Sequence, residues 1–425
     1  MPGGRRPVRA ALLTVAAAVL LTAGAAVPHR PDAAATVTAT GGAPADAIAV
    51  TQDRLRSVPG DWASWAHLAV LHVERARGTG DPGDYARAEE AVRRSRALRP
   101  AGNVDALVAD GMLANARHDF AAARDLATEA LRLDGHDAAA QAVLADALTQ
   151  LGPAGTATGA VQRLLDLRPG LSAYARGSYD LELRGDDAGA AELMGRALTA
   201  ATTPADLGFC HAHLGDLAWN RGDLAGASAA YRAGLLADPH AAALRRGQAR
   251  VLAAQGRTVE ALKIWAALPP EAGNLLEHAD LLRALGRDDE AAAQVALATA
   301  QHGLFTANGG VDGITGASLA IAAGDPDAAV AAARAEYDRR RHPDVIDAYA
   351  WSLHAAGRDA EALPLARAAL AGGARPASHL YHLGVIAHAL GDPAWRGHLG
   401  EALSRNPHFS PSGAADARRL LGVTA

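Results

Sequence analysis

The chain carries a single thiol, Cys210, with His211 and His213 close behind it. A cysteine next to a histidine can act as a nucleophile with its base. Neighbouring residues on a helix point in different directions, however, so this thiol reads as a buried structural one. Histidine is frequent, at 17 residues. His379 and His382 are three apart and share one face of a helix, and His388, His398 and His408 follow. Imidazole nitrogens can hold nickel, zinc or copper, but no carboxylate completes a site at fixed spacing, so His379 and His382 are weak metal candidates. Arg246 and Arg250 are four apart on one helix face and can clamp a carboxylate or a phosphate. No Gly-rich phosphate loop, GxSxG elbow, HExxH or EF-hand pattern occurs. The residues therefore suggest no cofactor, no catalytic set and no enzyme.

The elements that must position these residues are helices. Of 425 residues, half are apolar, 20% are charged and 4% are aromatic. So many apolar residues exclude a wholly disordered chain. Few aromatics and abundant alanine disfavour a β-sandwich or barrel and favour helices. One cysteine excludes a disulfide framework and any Cys-rich zinc or iron–sulfur site. A formal charge of −5 leaves no electrostatic footprint for nucleic acid. Glycines recur in one context, a helical run, then Gly, a polar pair and a second alanine-rich run: Gly152, Gly185, Gly222, Gly256, Gly286, Gly324, Gly357 and Gly391. Their spacing averages about 34 residues, a period of helix–turn–helix repeats. Proline closes most units, at Pro100, Pro169, Pro239, Pro269–Pro270, Pro343, Pro376 and Pro407, because it cannot continue a helix.

Close packing of paired helices needs a small residue where they cross. That place holds Ala69, Gly111, Ala145, Ser178, Gly215, Ala249, Ala279, Ala317, Ala350 and Gly384 along the first helices. Along the second helices it holds Ala88, Ala123, Ala157, Ala190, Ala227, Ala261, Ala291, Ala329 and Ala362. The clearest unit runs from His211 to Pro239, with Leu214–Gly215, Ala227, Tyr231 and Pro239 at its marked places. This unit resembles the tetratricopeptide (TPR) consensus, and the resemblance covers about Ile48 to Pro407. It implies an all-α, right-handed α-solenoid of about ten TPR helix–turn–helix repeats.

The resemblance also implies that first helices line a concave groove in which a protein or peptide partner lies. On that mapping the groove presents Asp216, Trp219 and Asn220, then Arg246 and Arg250, then Asp280 and Arg283, then Trp351 and His354, and then Tyr381, His382 and His388. Trp, Tyr and Arg are frequent binding hot spots. The lysine-based chaperone clamp of the family is absent, since Lys263 is the only lysine. Departures from the pattern are His118 where glycine is usual, an insertion at Gly78 to Gly83, and an irregular insert at Leu304 to Gly313.

At the N-terminus, Arg5, Arg6 and Arg9 precede an apolar run from Ala10 to Val27. A basic, then apolar, then small-residue order is that of a secretory signal peptide, and the run is just long enough for a signal anchor. The expected organisation is a signal peptide or anchor over 1–27, a flexible linker over 28–46, the solenoid over 47–408 and a C-terminal capping helix over 409–425. The protein is expected to be exported, to the cell envelope or beyond, with membrane contact only through the N-terminal segment. The phrase Asn406 to Pro411 (NPHFSP) is similar to that of exported actinobacterial tetratricopeptide proteins. A scaffold for a protein or peptide is the function these readings favour. Metal handling through the C-terminal histidines is the alternative.

Overall fold

A computed structural model describes residues 44–423. The signal segment expected at 1–27 and most of the linker expected at 28–46 lie outside the described residues. Among the described residues there are 22 helices and no strand. α1 (Pro44–Ser57) leads into ten pairs: α2 (Trp62–Thr79) with α3 (Gly83–Leu98), α4 (Val104–Ala116) with α5 (Phe120–Leu133), α6 (Ala138–Leu151) with α7 (Thr158–Leu167), α8 (Leu171–Leu183) with α9 (Asp187–Thr199), α10 (Pro204–Asn220) with α11 (Leu224–Ala237), α12 (Ala242–Ala254) with α13 (Thr258–Trp265), α14 (Ala272–Ala284) with α15 (Asp288–Ala307), α16 (Gly313–Ala323) with α17 (Pro326–Arg339), α18 (Pro343–Ala355) with α19 (Asp359–Ala369), and α20 (Ala377–Ala389) with α21 (Trp395–Arg405). α22 (Pro411–Leu421) closes the chain. The fold is an all-α solenoid of ten helix–turn–helix repeats. No helix among the described residues is long and apolar enough to cross a membrane.

The turn inside each pair has a local cause. Gly185, Gly222, Gly256, Gly286, Gly324, Gly357 and Gly391 all take φ between 71° and 80°, a conformation that costs glycine nothing. Where aspartate follows Gly185, Gly222 and Gly324, it caps the second helix: Asp223 accepts from the Gly226 amide at 2.8 Å, and Asp186 and Asp325 do the same for their helices. Gly152 departs from the expectation. Its φ is −115°, because the residue before a proline, here Pro153, is pushed to extended backbone. His118 takes φ 62° in the glycine place of its pair.

Packing within and between pairs follows the small residues. Ala69, Ala145, Ala249, Ala279, Ala317 and Ala350 are fully buried, as are Ala88, Ala123, Ala190, Ala227, Ala261, Ala291, Ala329 and Ala362. The glycines in this series are required by space: a Cβ on Gly215 would sit 2.3 Å from the Tyr231 ring, and one on Gly384 would sit 2.5 Å from Leu399. Next-but-one contacts recur between first helices, α2 with α4, α4 with α6, α10 with α12 and α16 with α18. First helices therefore lie on the inside of the curve.

The curve is tight enough for one superhelical turn to rest on the next. The α2–α3 turn at Gly80 meets Glu271, just before α14. In the α4–α5 turn, Arg117 O accepts from the Val311 amide at 2.9 Å and His118 O from Arg339 at 2.8 Å. At the end of α6, Leu151 O accepts from the Arg341 amide and Gln150 Oε1 from Arg340, both at 2.8 Å. The α8–α9 turn at Gly185 touches Gly373, and the α10–α11 turn at Gly222 touches Arg405 and Asn406. Apart from the reach of Arg339 from the end of α17, each contact joins a turn to the connector eleven helices later, so one superhelical turn holds about eleven helices and the seam between turns is continuous. The expected irregular insert at Leu304 to Gly313 is shorter than its sequence suggests. α15 continues through Ala307, and residues 308–312 are the connector that meets Arg117.

Candidate functional site

Among the described residues, cavities open on the inner surface at two places of note. The larger, about 370 Å³, lies in the first superhelical turn. It is lined from α2 by Glu74 and Arg77, from α4 by Met112 and Asn115, from α6 by Ala142, Val143 and Asp146, and from α8 by Ser172 and Arg176, with Arg168 and Asp206 also on its wall. Arg176 is committed: Nε and Nη2 donate to Asp146 at 2.7 Å each, and Nη1 donates to the Ser172 hydroxyl. Arg77 is not committed. None of its three guanidinium nitrogens reaches water or a hydrogen-bond partner. Burial lowers its pKa, although Glu74 and Asp146 act in the opposite sense. Burial raises the Glu74 carboxyl. Asn115 donates to Val143 O at 3.1 Å and leaves its own side-chain oxygen buried and unpartnered.

The second cavity, about 200 Å³, lies between Trp219, Arg250, Trp265, Glu277 and Asp280 on one side and residues 407–411 on the other. Here the chain occupies its own groove. Asn406 Nδ2 donates to Trp219 O at 2.8 Å. The Ser410 hydroxyl donates to Asp280 at 2.8 Å, and Ser412 donates to its other oxygen. Phe409 packs beside Tyr381, with the rings tilted and their centroids 5.5 Å apart.

The expected groove residues divide accordingly. Asp216, Trp219, Arg250 and Asp280 do come together, but around the protein's own segments. Arg250 is paired with Glu277 at 2.8 Å and Asp216 at 3.3 Å, and Asp216 also accepts the Tyr231 hydroxyl at 2.7 Å. Arg246 makes no such pair and does not join Arg250 in a clamp; its Nε is buried without a partner. Exposed Asn220 donates to Glu182 at 3.0 Å, and Arg283 caps Ala322 O at 3.2 Å. Asp280, Trp351 and Tyr381 are only 2–3% exposed. Trp351 stacks on His354 and His382, and Tyr381 donates to Asp416 at 3.1 Å. They present no surface to a partner, because the tight winding and α22 fill the inside of the second turn.

The metal candidates are buried as well. His382 Nδ1 lies 2.8 Å from Asp347, and His379 Nε2 lies 3.3 Å from Asp344 and 3.6 Å from Asp347. Among the described residues no three His, Cys, Asp or Glu side chains are grouped to hold a metal ion. Cys210 is fully buried, and burial pushes its thiol up to about 12, which suits packing and not nucleophilic attack.

The residues of the larger cavity were missed by the sequence mapping, and two of them carry a signal. The residue after the small crossing residue points inward at Asp216, Arg250, Asp280 and Trp351. Applied one to three units earlier, the same register selects Met112 after Gly111, Asp146 after Ala145 and Tyr179 after Ser178. The first two line the cavity.

No protein-family profile and no curated protein matches the sequence. Solved structures similar in fold include yeast Tom70, at 13% identity, TM-score 0.36, covering 88% of this chain and 85% of that one. Another is a tetratricopeptide repeat protein from Parabacteroides merdae, at 16% identity, TM-score 0.34, covering 59% of this chain and 98% of that one. A third is the human IFIT1 dimer with m7Gppp-AAAA, at 12% identity, TM-score 0.46, covering 86% and 94%. Likeness at this level says nothing of a ligand or partner.

Proposed function

We propose that the protein is a non-catalytic, exported scaffold that binds a peptide or protein segment inside its first superhelical turn. The observation that carries this reading is the contrast between the two halves of the inner surface. In the second turn the chain's own C-terminal segment takes up most of the groove and leaves about 200 Å³, whereas the first keeps a cavity of about 370 Å³ with polar groups on its wall. A preformed site loses little conformational freedom on binding. The export part rests on Arg5, Arg6 and Arg9 ahead of the apolar run, and the N-terminus of the protein recovered from cell fractions tests it. A photo-crosslinking residue in place of Ala142, inside the cavity, tests the binding part in cells. Adducts with a peptide or protein at Ala142, absent when the probe replaces outward-facing Leu236, support the reading. Equal labelling at both places, or none, removes it.

A further inference from the structure

We propose that the first-turn cavity binds a small zwitterion, a free amino acid or a dipeptide. Its carboxylate is held by Arg77, and its ammonium group by Glu74 and the side-chain oxygen of Asn115. The inference rests on the reading above for the site, the first-turn cavity, and assigns that site a smaller ligand.

On α2 and α4 the uncommitted groups of the cavity are one cation, one anion and one amide oxygen; Arg168 and Asp206, on the opposite wall, are exposed and half-buried. Arg77 has three unpartnered guanidinium nitrogens, and Asn115 Oδ1 is unpartnered too. Glu74 acts on Arg77 and Arg176 only through space, with a hydrogen bond to neither. The buried charges next to them, Arg176 and Asp146, already satisfy each other. An unpaired group withheld from water is costly. A ligand with both signs of charge relieves Arg77 and Asn115 Oδ1 at once, and a simple anion would relieve only Arg77. Glu74 and Arg77 are three apart on α2, so they share a face with Cβ atoms roughly 5–6 Å apart. That separation matches a molecule whose two charged ends are only a few bonds apart. Met112 and Val143 supply an apolar wall for its side chain. The volume, about 370 Å³, lies at the low end of small-molecule sites. It suits one or two residues and not a folded partner.

The test is calorimetric titration of the full chain with L-leucine, leucyl-leucine, N-acetyl-leucyl-leucine and leucyl-leucinamide. One or both of the uncapped probes should saturate a single site, and the tighter of the two tells an amino-acid site from a dipeptide site. Acetylation should weaken binding of the dipeptide about tenfold or more in the wild type and add nothing in Glu74→Gln. Amidation should do the same in the wild type and add nothing in Arg77→Gln. No saturation by either uncapped probe up to about 10 mM, far weaker than a specific site requires, overturns the inference. Capped probes that bind as well as the uncapped dipeptide also overturn it. Thermal unfolding without ligand serves as the folding control. Arg77→Gln should unfold at a higher temperature than the wild type, since it removes an unpaired buried charge. A lower temperature would make Arg77 a structural residue and sink the assignment. If peptide or protein adducts form at Ala142 while no zwitterion binds, this inference fails and the scaffold reading stands. If neither occurs, both fail.

Discussion

Gly185 and Gly373 meet backbone to backbone across the seam between superhelical turns. A Cβ on Gly185 would lie 2.5 Å from the Gly373 carbonyl oxygen, and a Cβ on Gly373 would lie 2.5 Å from the Arg184 carbonyl oxygen. Both residues have positive φ, 80° and 104°. The facing atoms are backbone, which cannot swing aside as a side chain can. This contact fixes how closely the two turns approach, and so how narrow the interior is.

Gly373→Ala and Gly185→Ala should each open the seam. An L-residue in the left-handed region costs about 1–2 kcal/mol, and overpacking adds about 1–3 kcal/mol. Gly256 has a similar φ of 76° but open space where a Cβ would go, so Gly256→Ala should cost only the backbone part, about 1–2 kcal/mol. Urea unfolding of the three variants reads the difference. Equal losses would show that the seam is looser than these distances imply.

The C-terminal segment is held largely by one carboxylate. Asp280 accepts from both Ser410 and Ser412, and it is 2% exposed. Asp280→Ala leaves two hydroxyls without their acceptor inside the protein, at about 1–3 kcal/mol. The loss should be local, because α22 is the last element and detaches without unstacking the pairs. Tryptic cleavage after Arg405 should become markedly faster than in the wild type while the thermal midpoint shifts by only a few degrees. Cleavage at the wild-type rate would assign the docking to Asn406 and Phe409 instead.

Local chemistry was legible in the sequence, and the winding was not. Gly222 followed by Asp223 spells a left-handed turn and a helix cap, and the alternation of small residues marks where helices cross. Both signals lie within a single repeat. The seam joins Leu151 to Arg341 and Trp219 to Asn406, nearly half the chain apart, through connector backbone that carries no motif. Without the seam, the groove looks open along its whole length. That is why Trp351 and Tyr381 read as partner-facing, although they are core residues. His118 marks the same blind spot. It looks like a faulty turn, but its ring stacks on Phe120 and lies 5.4 Å from Phe305 across the seam.

Stability should fall as pH rises from about 6.5 to 9. Burial alone would lower the pKa of His379, but the Asp347 and Asp344 carboxylates outweigh it and raise it to about 9 from 6.5. A folded-state pKa above the unfolded value means the stabilisation is complete below about 6.5 and is lost as pH rises through about 9. The full effect is on the order of 3 kcal/mol. His342 lies in the same cluster, but burial holds it down to about 4, so it contributes nothing in this window. Glu182, pushed up to about 7 by burial, adds a loss of the same sign at lower pH, between about 4.5 and 7. Unfolding free energies of wild type and His379→Gln across pH 6 to 9.5 check the assignment. The variant should lose the slope above about 7, where Glu182 and His342 no longer titrate.

Arg246 and Arg250 look alike in sequence, four apart on one helix, and the structure separates them. Arg250 binds Glu277 through two nitrogens and Asp216 through a third. Glu277 is 8% exposed. Arg250→Ala therefore strands a buried carboxylate, a change worth about 3–5 kcal/mol when no second partner is present. Arg246 has no ion pair among the described residues, and its Nε has no partner. Its charge acts only through space, on Glu271 among others. Arg246→Ala should change stability by no more than about 1 kcal/mol. The ordering is what matters: denaturant unfolding should rank Arg250→Ala several-fold more damaging than Arg246→Ala. Similar losses for the two would mean that the arginines share a partner, as a clamp would require. Replacing Glu277 with Gln in the Arg250→Ala background should restore part of the lost stability, because the stranded charge goes with it. No such recovery would show that Arg250 acts through its packing and not through the ion pair.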